Sequence, residues 1–455
     1  MARTFILLLS FFGAQALHGQ QQDSLMIRRI ADSVLINGSA YENLRALCKN
    51  VGGRLAGSPQ MIKAEAWGVA ALKRAGADKV FLQECKVPHW VRGAKESAYY
   101  IMNGKKVELD VLALGNSVGT GTKGVSAPVL LINDFDELEK RKDEVKGKIV
   151  FYNYKFDPRF IRTFQSYGDA GRYRGQGPSR AARYGAVAVI VRSMSHATDN
   201  NPHTGATNYD TAYAKIPALA VGLKDADRLA AVLEQNKPVN VVMHSYAEQL
   251  PDVTGHNVIG EWVGTESPEQ IITIGGHLDS WDPAEGAHDD GAGCVQSIEV
   301  LRALKAAGYV PRRTIRIVLF ANEENGLRGG TQYAADAKKN GEKHFFALES
   351  DAGGFTPRGF GFSVSKEQLG RIQGWLELFK PYGVFELSAG GGGADIGPLG
   401  RAFNTPMAGF VPDSQRYFDV HHARNDVFEN VNKRELELGA LNMAALIYLV
   451  DKYGL

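Results

Sequence analysis

The amino-acid sequence predicts an α/β protein in which a mostly parallel central sheet is flanked by helices and a β-rich domain is inserted. Beyond residue 250, apolar runs at 271–274, 314–320 and 345–348 alternate with amphipathic helical segments. Strands that lack a polar face are typical of a parallel sheet covered by helices on both sides. Glycines crowd together between 112 and 125, and the predicted elements that follow are short.

The composition excludes several classes of protein. The chain has 455 residues, enough for two or three domains. With 52 Lys and Arg against 50 Asp and Glu, its net charge is +2, so we expect no nucleic-acid partner. A hydrophobic fraction of 44% excludes wholesale disorder. Three cysteines are too few for a disulfide framework or a cysteine zinc cluster, so histidine and carboxylate must hold any zinc.

Residues 1–19 have the features of a signal peptide. Arg3 precedes an apolar core from Phe5 to Phe12, and Ala14-Gln15-Ala16 offers a cleavage site. A cut after Gly19 fits as well, and the sequence does not choose between the two. The apolar core is shorter than the ~20 residues that span a bilayer, and no other stretch reaches that length. We therefore expect an exported protein, secreted or periplasmic, with no membrane span.

The first segment of the mature chain is mainly helical. One helix is predicted to begin at Asp32 or Ser33, and a second ends near Gly76, a residue type favoured at helix C-caps. Lys79 to Cys85 follows as a strand. The short strands predicted next lie at 128–133, 149–152, 186–191 and 216–221.

The helix between the first two apolar runs carries one apolar stripe. Its stripe residues are Val295, Ile298, Leu301 and Leu304, and Gly308 caps its end. From these elements we predict a main domain formed by residues 20–115 and 251–455. The predicted insert covers residues 116–250.

Residue types that bind metals follow each of the three apolar strands. In parallel sheets, ligands bind at the carboxyl ends of the strands, where separate strands converge. Neutral imidazole and carboxylate are the ligands of catalytic zinc, which keeps one position open for water. The candidates are His277, Asp279, Asp289 and Asp290 after the first run, Glu323 and Glu324 after the second, Asp351 after the third, and His421 and His422 with Asp426 near the C-terminus.

The motifs around these candidates are Gly276-His277-Leu278-Asp279-Ser280-Trp281-Asp282, Gly286-Ala287-His288-Asp289-Asp290-Gly291, Asn322-Glu323-Glu324, Glu349-Ser350-Asp351-Ala352-Gly353, Tyr417-Phe418 and His421-His422. They resemble the motifs of the co-catalytic zinc peptidases of the M28 clan, and within that clan those of the carboxypeptidase Q group. Gly53 to Pro59 resembles the entry loop of these enzymes. Lys146 to Val150 and Ala181 to Val191 give the insert a weaker resemblance to a protease-associated domain.

This resemblance implies the zinc exopeptidase fold and two Zn²⁺ per chain. His277 and Asp351 would bind one zinc, and Glu324 and His422 would bind the other. Asp289 would bridge them, because its two oxygens can each bind one dication. Two zincs can polarise the scissile carbonyl and acidify a shared water.

The resemblance also implies roles for residues that do not bind metal. Glu323 would be the general base. Asp279 would accept the free N–H of the His277 imidazole and fix its tautomer. The peptide bond between Asp289 and Asp290 would be cis.

Three features of the site stay open at the sequence level. His421 and His422 are adjacent, and the spacing to Asp426 favours His422 as the ligand. His288 is interpreted as a supporting or incidental residue. The glycine run 390–393 is predicted to be a flexible loop near the cleft, and it lacks the context of a phosphate-binding loop.

We therefore expect an exported di-zinc exopeptidase that hydrolyses short peptides, in particular unblocked dipeptides, and that forms a homodimer. The alternatives are an aminopeptidase acting on longer peptides, a single-zinc acyltransferase of the glutaminyl-cyclase type, and a ligand-binding, receptor-like module. The sequence does not separate aminopeptidase from carboxypeptidase specificity, because the discriminating groups lie in loops.

Overall fold

A computed structural model describes residues 21–235 and 237–455. The predicted signal peptide at 1–19 lies outside these residues. Within the described ranges, no helix combines the length and the apolar character that a membrane crossing requires.

Sixteen strands and fourteen α-helices make up the described part of the chain. The strands are β1 Lys79–Val91, β2 Ser97–Met102, β3 Lys105–Leu109, β4 Val111–Ala113, β5 Val125–Ile132, β6 Ile149–Tyr152, β7 Ala188–Arg192, β8 Ala218–Val221, β9 Asn240–His244, β10 Glu248–Trp262, β11 Ser267–His277, β12 Arg313–Phe320, β13 Lys343–Glu349, β14 Pro357–Ser363, β15 Glu386–Ala389 and β16 Met407–Pro412. The helices are α1 at 21–37, α2 Ala40–Asn50, α3 Pro59–Ala75, α4 Phe135–Lys140, α5 Thr163–Gly175, α6 Gly177–Ala182, α7 Leu223–Glu234, α8 Ala292–Ala306, α9 Arg328–Asn340, α10 Lys366–Gln373, α11 Leu376–Phe379, α12 Gly397–Phe403, α13 Tyr417–Val420 and α14 Lys433–Tyr453.

The first sheet has the strand order β1-β10-β12-β11-β13-β16-β14-β15. Its centre, from β12 through β11 and β13 to β16, is parallel. The pairs β1–β10, β10–β12 and β14–β16 are antiparallel. The predicted α/β class is therefore confirmed, with a sheet that is mixed rather than strictly parallel. Antiparallel strands beside a parallel centre are common in large sheets.

The second sheet has the order β3-β2-β9-β5-β6-β7-β8-β4. Its centre, β5 to β8, is parallel, and α4 to α7 belong to the same stretch of chain. Strands β2, β3 and β4 pair into this sheet, whereas the sequence analysis assigned residues up to 115 to the main domain. β2 pairs with β9 and β4 with β8, both far along the chain, so no local pattern reveals the assignment.

Helix α8 lies at the centre of the main core. The predicted stripe from Val295 to Leu304 is fully buried, but Val300 and Ala303 on other faces of the helix are buried too. This difference arises because α2, α3 and α14 contact α8 in addition to strands β11 and β12. Burial of α8 therefore extends beyond one stripe and includes the polar side chains of Gln296 and Glu299.

Helix α3 confirms the predicted cap at Gly76. This residue has φ +92°, a left-handed conformation that glycine adopts without steric cost, and its N–H bonds to the carbonyls of Leu72 and Lys73. At the other end, the Ser58 side chain accepts the Met61 N–H as an N-cap. The helix boundaries are thus determined by local sequence.

All three cysteines are buried and none forms a disulfide. Burial raises the pKa of the Cys48 and Cys85 thiols to about 12, and that of Cys294 well above its usual value. Each thiol is therefore both protonated and shielded from reagents.

We expect a thiol reagent at pH 8 to modify no cysteine in the native protein and three in denaturant, because only an accessible thiolate reacts. Ser24→Cys, at an exposed position of α1, should add one reactive thiol and serves as the control. Rapid native labelling of any wild-type cysteine would contradict the described burial.

Candidate active site

The predicted site residues come from the carboxyl ends of three adjacent parallel strands. His277 is the last residue of β11, and Asp351 lies just beyond β13. Glu323 and Glu324 follow β12. Because β12 and β13 pair with β11 on its two sides, their ends meet at one edge of the sheet.

The Asp289 carboxylate lies between two histidines. His277 Nε2 is 3.2 Å from Asp289 Oδ1 and 3.4 Å from Asp351 Oδ1. On the other side, His422 Nε2 is 3.1 Å from Asp289 Oδ2 and 3.0 Å from Glu324 Oε2. The structure thus brings together all five residues expected to bind metal.

These distances suit metal ligands. Two donor atoms bound to one tetrahedral zinc at ~2.1 Å lie about 3.4 Å apart. Asp289 Oδ2 is buried and has no hydrogen-bond partner among the described residues. One of its lone pairs is therefore available to bind a cation. Among the described residues, three overlapping groups have ligand atoms within 4.8 Å of one another and could hold a divalent cation: Asp289 with His421 and His422, His277 with Asp290 and Asp351, and His277 with Asp289 and Glu324.

Asp279 lies where it can accept the His277 N–H, as the resemblance implied, and the accepting atom belongs to its backbone. The Asp279 carbonyl oxygen, and not its carboxylate, lies 2.9 Å from His277 Nδ1; the nearest carboxylate oxygen is 3.8 Å away. The carboxylate instead accepts the backbone N–H groups of Glu323, at 3.0 Å, and Glu324, at 3.3 Å. Asp279 therefore orients His277 through its backbone and positions the Glu323-Glu324 turn through its side chain.

His422 is oriented by a residue that sequence reasoning missed. Its Nδ1 is 3.2 Å from the Thr204 carbonyl oxygen, and the Thr204 N–H donates to the His422 carbonyl at 3.0 Å. Arg174 Nη1 lies 3.4 Å from the same Nδ1. Thr204 and Arg174 come from the region of the second sheet, and a threonine backbone leaves no signal in a sequence.

His421 stacks on His422 with ring centroids 3.5 Å apart. Its Nε2 is 3.5 Å from Asp289 Oδ2, and no other carboxylate among the described residues lies within 4.0 Å of its ring nitrogens. His422 contacts both Asp289 and Glu324 more closely, so the geometry agrees with the preference for His422 as ligand.

Asp426 and Asp290 fix the backbone around Asp289. Asp426 accepts the N–H groups of His288, at 2.7 Å, and Asp289, at 3.1 Å. Asp290 accepts the His277 N–H at 3.1 Å. The Asp289–Asp290 peptide bond is cis, as the resemblance implied.

His288 faces away from the site. Its Nδ1 accepts the Gly354 N–H, its Nε2 donates to the Asn430 carbonyl, and its ring stacks on Phe355 at 4.2 Å. Burial lowers the pKa of His288 to about 4, so the ring is neutral and structural.

The carboxylates of the site have strongly displaced pKa values. Burial raises the pKa of Glu323 well above its usual value, and the charges of Asp351 and Glu324 raise it further against the opposing effect of His277. Burial also raises the pKa of Glu324, to about 7. Asp289 is the exception, since His277 and His422 overcome the effect of burial and hold its pKa well below the usual value.

A cavity of about 370 Å³ opens onto these groups. Among the residues that the structure describes, four carboxylates line it, and Arg174 is the one Lys or Arg side chain in its wall. Part of the wall belongs to the second-sheet region, which supplies Phe164, Tyr167, Arg174, Ala206 and Asn208. The cavity is therefore lined from the regions of both sheets.

Arg54 anchors the segment between His277 and Asp289. Its guanidinium is fully buried and donates to the carbonyl oxygens of Leu278, Glu285 (2.6 Å) and Gly286 (3.0 Å). Arg54 lies in the segment that resembles an entry loop, and its contacts explain why an arginine stands there.

Comparisons with known proteins identify relatives of this chain. The model of peptidase family M28 matches residues 257–447. Carboxypeptidase Q of Xenopus laevis is 35% identical over 411 residues, which cover 90% of this chain and 85% of that protein. A peptidase M28 precursor from Shewanella amazonensis SB2B has a TM-score of 0.90 at 31% identity and covers 95% of this chain and 97% of its own. A zinc aminopeptidase from Bacillus subtilis, with a TM-score of 0.64 at 19% identity over 90% of this chain and 93% of its own, shares the fold.

We expect Arg54→Met to lower the free energy of unfolding by about 2–4 kcal/mol, because it leaves buried carbonyl oxygens without donors. Urea unfolding monitored by circular dichroism measures the change. The matched control is Arg28→Met, at a side chain that is 71% exposed, which should change stability by no more than about 0.5 kcal/mol. Equal effects of the two substitutions would show that Arg54 is not an anchor.

Proposed function

This chain belongs to peptidase family M28, and we propose that it is an exported zinc exopeptidase that cleaves unblocked dipeptides and other short peptides. The observation that carries the proposal is the position of Asp289, with one carboxylate oxygen facing His277 and the other facing His422. A carboxylate so placed can serve two cations at once.

Two zinc ions would be held by His277 with Asp351 and by His422 with Glu324, with Asp289 shared. When bound, zinc polarises a carbonyl group and makes water more acidic near neutral pH. The described neighbours preorganise these ligands, because Asp279 and Thr204 accept from the far nitrogen of each imidazole and leave Nε2 free to bind.

Glu323 is proposed as the general base. It lines the cavity, and among the described residues it forms no ion pair within 4.0 Å. Its N–H is held by Asp279, which positions the side chain beside the ligands. A half-buried carboxylate with a raised pKa can take a proton from the attacking water and give it to the leaving amine.

A small peptide is proposed as substrate because the cavity is small and is lined from the regions of both sheets. Its volume of about 370 Å³ lies at the low end of ligand pockets, which range from ~300 to 1,000 Å³. Arg174 can pair with a terminal carboxylate. An aminopeptidase is the second candidate, because an aminopeptidase of Bacillus subtilis is among the relatives of this chain.

Export and dimerisation remain proposals that rest on the signal-like residues 1–19 and on the family resemblance. Light scattering of the purified protein at micromolar concentration checks the dimer, and a monomer would count against it.

We expect Glu323→Gln to reduce kcat by at least ~10²–10⁴-fold and to keep both metals bound, since the amide retains the shape and loses the basicity. Glu324→Gln should instead lower the zinc content, because a neutral amide is a weaker ligand than a carboxylate. Zinc analysis and peptide hydrolysis measure the two effects separately.

Glu367→Gln is the matched control, because its side chain is 78% exposed and lies on α10. Zinc loss in Glu323→Gln with full zinc in Glu324→Gln would reverse the assignment of the pair. One zinc per chain, with cyclisation of N-terminal glutamine, would favour the acyltransferase alternative.

A panel of free, N-blocked and C-amidated dipeptides separates the specificities. We expect amidation to abolish hydrolysis if Arg174 reads a terminal carboxylate, and Arg174→Gln should then raise KM for free dipeptides. Loss of hydrolysis on N-blocking, with amides still cleaved, would favour the aminopeptidase.

A further inference from the structure

The two proposed zinc sites are held by different parts of the fold. The His277 imidazole faces the Asp279 carbonyl, and both residues belong to β11 or to the segment directly after it. By contrast, the His422 imidazole faces the Thr204 carbonyl, which comes from the second-sheet region. The site formed by Glu324 and His422, here called the Glu324–His422 site, therefore depends on how the two regions pack together.

Trp281 contacts both ligands of the Glu324–His422 site. Its backbone N–H donates to Glu324 Oε1 at 3.2 Å. Its indole ring lies edge-on to the His422 ring, with centroids 5.9 Å apart and an interplanar angle of 64°. One residue thus fixes the carboxylate of one ligand and packs against the imidazole of the other. Neighbours of this kind orient metal ligands, and mutating them typically reduces metal affinity ~10–100-fold.

The Trp281 side chain is buried in the second-sheet region. It is 3% exposed and belongs to the hydrophobic core of that region, where its ring lies edge-on to Trp90 with centroids 6.1 Å apart. Its Nε1 is buried and has no hydrogen-bond partner among the described residues. The position of the ring is therefore determined by packing and not by a hydrogen bond.

Gly115 leaves room for this ring. It lies two residues beyond the end of β4, and a Cβ there would lie 1.8 Å from Cη2 of Trp281 and 2.3 Å from Cζ3. The Gly115 N–H donates to the Gly205 carbonyl at 2.9 Å, and the Gly115 carbonyl accepts the Thr207 N–H at 2.8 Å. Because the backbone is fixed on both sides, a methyl group at position 115 would displace the indole.

An ion pair also fixes the residue after Trp281 to the second-sheet region. Arg92 binds both carboxylate oxygens of Asp282, each at 2.7 Å. The same guanidinium donates to Glu96, directly before β2, at 3.0 Å and to the carbonyl of Ala113, the last residue of β4, at 2.7 Å. The Arg92 side chain is 10% exposed, so salt screens the pair little. Residues 281–282 are therefore held by packing and by charge.

We propose that Trp281 is a positioning residue through which the second-sheet region determines the zinc affinity of the Glu324–His422 site and not that of the site formed by His277 and Asp351. The inference rests on the proposed two-zinc peptidase, and it makes one of the two metals dependent on the packing of the second sheet. Displacing the ring moves the Trp281 N–H away from Glu324 and removes the packing against His422, so both ligands lose their preorganised geometry.

Zinc titration against a competing chromophoric chelator measures the two dissociation constants in each purified variant. Gly115→Ala should raise one constant by about 10–100-fold and leave the other unchanged. In Glu324→Gln, where the affected site is already weakened, Gly115→Ala should leave the constant of the remaining zinc unchanged. Gly370→Ala is the matched control, because Gly370 lies on α10 and a Cβ there would have no neighbouring atom within 4 Å.

Trp281→Phe tests whether the effect passes through the indole. Phenylalanine is shorter and lacks the far edge of the indole, which carries Cη2 and Cζ3. Gly115→Ala should therefore weaken zinc binding less in the Trp281→Phe background than in wild type. Additive effects of the two substitutions overturn the inference.

Asp282→Asn is the second variant, because it removes one charge of the ion pair with Arg92 and preserves the shape of the side chain. It should raise the same dissociation constant, and it carries the test if circular dichroism shows that Gly115→Ala does not fold. Equal weakening of both zincs, or two unchanged constants, overturns the inference and leaves the peptidase proposal intact. A wild type that binds fewer than two zincs overturns the two-zinc proposal and the inference with it.

Discussion

The Asp289 carboxylate, enclosed by two imidazoles, is the interaction on which the rest of the site depends. A buried anion is stable only with positive or hydrogen-bonding partners, and His277 and His422 provide them within 3.2 Å. Its backbone position depends in turn on Asp426, and the loop before it depends on Arg54. The polar groups of this region therefore form one network of hydrogen bonds and close His–Asp contacts, in which each residue fixes the position of a neighbour.

The two sheets meet through this network. His277, Glu324 and Asp351 are positioned by the first sheet, whereas Thr204 holds the backbone and the ring of His422 from the second-sheet region. The candidate metal site thus takes its ligands from the first sheet and the contacts that hold His422 from the region of the second sheet. Ligand pockets occur preferentially at boundaries between two such regions, where two rigid surfaces define the shape of the substrate.

The sequence allowed prediction of the parts of the site that depend on local pattern. Apolar runs followed by His277, Glu324 and Asp351 place these residues at strand ends, and parallel pairing then brings the ends together. Asp279 contacts His277 as the resemblance implied, but the sequence does not determine whether its carbonyl or its carboxylate makes the contact. Thr204, Arg174 and the pairing of β2 to β4 depend on long-range packing, which no short window of sequence contains.

In the sequence, all strands of the second sheet lie between β1 and the other strands of the first sheet. β1 pairs along its whole length with β10, which follows the entire second sheet. Because synthesis proceeds from the N-terminus, all strands of the second sheet are synthesised before β10. β1 and the helices before it therefore cannot pack into the first sheet until the later strands have been synthesised, and their apolar surface stays exposed until then. Nascent chains of this protein thus pass through a stage at which exposed apolar surface is available to a chaperone.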